Sequence, residues 1–85
     1  MAAVETRSRI ASALRAMAKM RGLTARSVVQ ACPGISERSM GAYFRGERDV
    51  PGERLDSICA AMGCSVAQLL ALAAAMDPMA PSATG

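Results

Sequence analysis

Apolar residues recur with helical spacing along most of this 85-residue chain, and no stretch alternates with period two. The first run predicts a helix from about Thr6 to Arg21, with Ile10, Leu14 and Met17 facing inward beside Ala13 and Ala18. Gly22 suits the left-handed position that stops it, and Leu23 fills the gap before the next start. Thr24 can cap a second helix that carries Val28 and Val29 inward and ends near Cys32. Pro33-Gly34 forces a turn, Ile35 enters the core, and Ser36 caps a third helix from Glu37 to Arg45. Its apolar positions, Met40, Tyr43 and Phe44, leave Glu37, Arg38, Gly41, Ala42 and Arg45 on the opposite face. Gly46 ends that helix, and Pro51 opens a fourth from about Gly52 to Met62, inward at Leu55, Ile58, Cys59 and Met62. Gly63 stops it, Cys64 is expected as a buried spacer, and Ser65 caps a fifth helix reaching about Met76.

The fifth helix differs from the others. Val66, Leu69, Leu70 and Ala73 form the expected core stripe, but Gln68 is the one polar residue among the rest. A helix apolar nearly all round is buried on more than one side, so a second copy of the chain is expected against Ala71, Leu72, Ala75 and Met76. The alternative is a solvated Ala-rich helix. Residues 1–5 lack a periodic anchor and are expected to be flexible; residues 6–76 form one domain; residues 77–85, DPMAPSATG, read as a disordered tail.

Apolar residues make up 52% of the chain with a single Tyr and a single Phe, so the core must be aliphatic and the fold all-α, with five helices. Two short helices around a glycine-containing turn are the pattern of a helix-turn-helix, whose second helix enters the DNA major groove. Charge supports that direction. Up to Arg48 there are nine basic residues against three acidic ones, whereas beyond it a single Arg faces four acids. A basic half that coincides with the motif fits a footprint for phosphates; a merely solvated basic surface is the plainer alternative. There is no His, no nucleophile elbow, no phosphate loop and no carboxylate pair, which argues against an enzyme. Three Cys residues without a C-x-x-C pair give no zinc site and, with no secretory signal, point to a reducing cytoplasm. Cys59 and Cys64 read as core packing. No apolar run reaches the length of a membrane span, and no cofactor, metal or small-molecule ligand is expected.

Arg21-Gly22-Leu23-Thr24, Gly34-Ile35-Ser36, Gly46-Glu47-Arg48 and Met62-Gly63-Cys64-Ser65 before Leu69-Leu70 occur in an order and spacing that resemble the Xre/Cro/C1-type helix-turn-helix family. This is the class of lambdoid phage repressors and Cro, and the resemblance covers about Ile10 to Leu72. It implies a five-helix lambda-repressor-like DNA-binding domain, often dimeric, that represses or regulates transcription in phages and bacteria. The chain departs from the family pattern at Ala25, where Gln is usual; at Val29, where a small Ala is usual; at Pro33, which lengthens the turn; and at Gly41 and Ala42, which are often polar.

On this basis Arg38, in the first turn of the third helix, is expected to fork onto guanine, with phosphate neutralisation or pairing to Glu37 or Glu47 as alternatives. Glu37 either accepts from cytosine or stabilises the helix start; Ala42 is placed for a thymine methyl; Gly41 for close approach. Thr24, Arg26, Ser36, Ser39, Arg45 and Arg48 are expected on phosphate oxygens. Tyr43 and Phe44 are expected in the core rather than stacked on bases. A dimer would meet an inverted repeat with half-sites about 34 Å apart. The competing reading is a protein-interaction module, or an antitoxin-type regulator using the same fold on a protein partner.

Overall fold

In the computed structural model the backbone of residues 2–76 and the side chains of residues 7–76 are described. They form five helices and no strand: α1 (Ala2–Met20), α2 (Ala25–Ala31), α3 (Glu37–Arg45), α4 (Gly52–Met62) and α5 (Val66–Met76). The helix starts follow the capping chemistry of the sequence. Thr24 accepts from the Ser27 amide at 3.1 Å, and Ser27 Oγ accepts in return from the Thr24 amide at 2.9 Å, a reciprocal box with Ser in the usual Glu position. Ser36 accepts from the Ser39 amide at 3.1 Å, and Ser65 from the Gln68 amide at 3.0 Å. One boundary differs from the sequence pattern. α1 begins at Ala2, ahead of Thr6, because Ala and Glu favour helix and nothing before Thr6 breaks it. The tail expected over residues 77–85 lies outside the described residues.

Each helix sends at least one nearly inaccessible side chain to the centre, among them Leu14, Val28, Met40, Ile58 and Leu69. Burying a side chain of this size is worth about 1.5–3 kcal/mol, and none of the described polar or charged residues is buried with them. Tyr43 and Phe44 join this core, as their spacing predicts. α1 is the central support. It packs along α5 on one side and against α3 on another, while α4 joins α2 to α5.

Two assignments on α5 are corrected. Leu70 is 46% exposed and does not join the core, whereas Leu72 is half-buried and packs against it. With Leu69 and Ala73 fixed inward, the helical rotation carries position 70 out and position 72 to the core's edge. Leu72 therefore leaves the expected outer face; Ala71, Ala75 and Met76 are exposed. Cys64, expected as buried, is half-buried.

Gly46 ends α3 at φ 76°, and its amide returns to the carbonyls of Ala42 and Tyr43. A Cβ there would also sit 3.3 Å from Ala11 Cβ and 3.4 Å from the Arg7 carbonyl. Gly46→Ala is thus expected to lower stability by roughly 1–2 kcal/mol, the cost of a left-handed L-residue. Gly34→Ala, where a Cβ meets open space, should be close to neutral. Urea unfolding of the two variants beside the parent chain measures the contrast.

Candidate nucleic-acid interface

α2, the Pro33-Gly34 turn and α3 form the two-helix unit. α2 ends where the Cys32 amide bonds the Val29 carbonyl, and the turn closes through the Ile35 amide to the Cys32 carbonyl, each at 3.0 Å. Ile35 is buried and pins the turn. Cys32 is buried too: its thiol donates to the Ser57 carbonyl at 3.6 Å, and burial pushes its pKa up. The Pro33-Gly34 turn is thus closed by backbone hydrogen bonds and flanked by two buried side chains.

Three arginines, none of them assigned a role from the sequence, hold α3 from outside. Arg15 of α1 donates to the Phe44 carbonyl at the end of α3, and also to Ser12 Oγ at 3.2 Å. Arg54 of α4 donates to the Tyr43 hydroxyl at 2.7 Å, so the buried ring keeps a satisfied oxygen. Arg7 of α1 donates to the Glu47 carbonyl at 3.3 Å, just past α3, with its Nε 3.8 Å from Asp49. A cation at the end of a helix suits its partial negative charge. Contacts of Arg15 with Phe44, 29 positions apart, leave no local spacing signal to read.

The outward residues sort differently. Glu37 and Arg38 are exposed in the first turn of α3. Among the described residues Arg38 has no hydrogen-bond or ion-pair partner, so the pairing with Glu37 or Glu47 weighed from sequence is not formed. Arg26 and Arg48 are exposed and likewise unpaired among the described residues. Thr24 and Ser36 are exposed but already serve as caps, and Ser39, which donates its amide to Ser36, is half-buried. Arg45 is exposed and bonds Glu47 Oε1 at 3.0 Å.

Two recognition-face expectations change. Ala42 is 7% exposed, so its methyl is covered by the protein and not available to a thymine. Its position next to Tyr43 and three residues after Ser39 lies at the edge of the packed face, where a small side chain is enclosed rather than presented. Gly41 has a local role: a Cβ there would fall 2.9 Å from an Arg45 guanidinium nitrogen. The missing side chain lets Arg45 lie back across one turn of α3.

Residues 13–75 match the Cro/C1-type HTH DNA-binding domain. Two crystal structures of the clp gene regulator ClgR from Corynebacterium glutamicum are similar to this chain. One superposes with a TM-score of 0.74 at 35% identity, covering 81% of this chain and 72% of that one. The other gives a TM-score of 0.75 at 34% identity, covering 86% and 95%. No curated protein matches the sequence.

The Arg45–Glu47 pair yields a pH prediction. The hydrogen bond from Arg45, and next its charge, hold the Glu47 carboxyl below its ordinary value. A depressed carboxylate contributes stability above its unfolded pKa and loses it as pH falls through the folded one. In a carboxyl-detected NMR titration Glu47 should protonate below the ordinary glutamate range, and Arg45→Ala should move it back up. Because both groups are exposed, unfolding measured over the same pH range should change little.

Proposed function

The chain belongs to the Cro/C1-type helix-turn-helix DNA-binding family, and we propose that it is a sequence-specific regulator of transcription that binds double-stranded DNA as a homodimer. The observation that carries the reading is the unpaired, exposed Arg38 in the first turn of a helix whose other face is buried. The first turn of a recognition helix is where side chains reach base edges, and a guanidinium forks onto guanine O6 and N7. Glu37 beside it accepts from cytosine N4 or completes the charge balance at the helix start. Arg26 and Arg48 neutralise phosphates on either side, with Thr24, Ser36 and Ser39 placing hydroxyls along the same backbone. Arg45 joins them once DNA competes for its exposed bond to Glu47. Gly41 adds close approach rather than a contact of its own. The ClgR structures, described as those of a clp gene regulator, support regulation as the biological role, repression being the simplest form.

The proposed dimer uses the outer face of α5. Ala67, Leu70, Ala71 and Ala74 are exposed and share one face at helical spacing, with Ala75 and Met76 beside them. Leu70 replaces Leu72 as the central residue of that contact. Two recognition helices would then meet an inverted repeat about one helical turn apart.

Fluorescence anisotropy on duplex from upstream of the chain's own gene, beside a scrambled duplex at two salt concentrations, tests the DNA reading. Native sequence should bind more tightly and weaken steeply with salt. Arg38→Ala should cost about 1–3 kcal/mol on the native duplex and narrow its margin over the scrambled one. Arg26→Ala should weaken both duplexes alike and lower the salt slope by about 1. Equal weak binding by the parent chain to every operator candidate would sink the proposal in favour of a protein partner. Sedimentation equilibrium tests the dimer separately: Leu70→Glu should yield monomer with the helical spectrum intact, and a dimer undisturbed by this change would move the interface elsewhere.

A further inference from the structure

The corner between α4 and α5 brings two cysteines together. The helices turn by 93° there. Gly63, at φ 76°, sends its amide to the Ala60 carbonyl at 3.1 Å, and the Cys64 amide reaches the Cys59 carbonyl at 2.9 Å. This pair of nested bonds is a Schellman motif, with Cys59 and Cys64 in the two positions whose side chains meet across the helix end. The 2.9 Å bond between their own backbones holds the two residues side by side at the helix end, and a disulfide needs Cα atoms within about 4.4–6.8 Å. Cys59 is 1% exposed and Cys64 half-buried, so Cys64 is the more accessible residue of the two.

We propose that Cys59 and Cys64 are a dithiol modification site, which a hydroperoxide oxidises to an intramolecular disulfide. The more accessible Cys64 acts first. Its thiolate attacks the peroxide, the O–O bond breaks, and Cys64 becomes a sulfenic acid while the departing oxygen leaves, protonated, as water or alcohol. The Cys59 sulfur then displaces hydroxide from Cys64. The S–S bond forms, and the Cys59 proton leaves with that hydroxide as water. Two thiols have lost two electrons and two protons, and the hydroperoxide has taken them. Burial above all, then the Cys64 charge and hydrogen bond, and lastly Asp56, push the Cys59 thiol up to about 12. Cys59 is therefore a poor first nucleophile, which fixes the order of the steps. Cys32 has no such neighbour on this corner and is committed to the Ser57 carbonyl.

Peptide mass analysis of the full chain tests this. The protein is treated with hydrogen peroxide, unfolded, alkylated without reductant and cut with trypsin. The peptide that begins at Leu55 holds both cysteines, and Cys32 lies in the Ser27–Arg38 peptide. The expected result is a Leu55 peptide lighter by two hydrogens and unlabelled, with the Cys32 peptide labelled. Cys64→Ser should leave Cys59 reduced and labelled, and Cys59→Ser should let Cys64 proceed to sulfinic acid. Circular dichroism checks that both variants stay helical. The proposal is overturned by a Leu55 peptide labelled at both sulfurs, by a sulfinic Cys64 beside a labelled Cys59 in the parent chain, or by a bridge to Cys32.

Discussion

α2 and α3 are too short to hold together alone. Isolated helices below about 12–15 residues are marginal in water, and these have seven and nine. What makes α3 persist is the burial of Met40, Tyr43 and Phe44, which anchors every turn of it to the core. The constraint runs both ways. A helix this short cannot keep a second packed side and still present a surface to DNA. One face is spent on the core, and the other must carry all outward chemistry in the few positions that remain.

The arginines show how that constraint is met. Arg7, Arg15 and Arg54 grip the C-terminal half of α3 and the residue pair after it, through the Glu47 and Phe44 carbonyls and the Tyr43 hydroxyl. Their charge is committed to orienting the helix. Arg38, at the N-terminal turn, is left unpaired among the described residues. The helix is clamped at one end and presents its free cation at the other. A basic composition that looks uniform in the sequence is thus divided between arginines that hold α3 and arginines left exposed and unpaired among the described residues.

Much of this was legible beforehand because it is local. N-caps at Thr24 and Ser36, the glycine stops and the i, i+3, i+4 spacing of Met40, Tyr43 and Phe44 each lie within one turn of the residue they explain. The family pattern added the order of the pieces, and residues 13–75 bear it out. What escaped was of two kinds. The arginine clamps join residues 11 to 40 positions apart, where no periodicity links donor to acceptor. The faces of α5 were misjudged because leucine and alanine on all sides leave the hydrophobic direction weakly defined, so Leu70 and Leu72 could exchange roles until packing on α1 chose between them. Ala42 was misplaced for a similar reason: a residue at the border of a packed face is assigned by the neighbours that cover it.

α1 determines how these parts act together. It carries α3 on one side and α5 on another, and Gly46 at the end of α3 lies against Ala11 and the Arg7 carbonyl of the same helix. In a dimer joined through α5, the separation of the two recognition helices would be set by this single rigid helix and the side chains packed along it. Helix interiors at native density transmit displacement rather than absorb it. A substitution at the α1–α5 contact, such as one enlarging Ala73, would then alter operator spacing without touching DNA. One on the exposed face of α1, such as Lys19, would leave that geometry unchanged. On the proposed dimer, spacing would be a property of α1 and α5, and base choice a property of the first turn of α3.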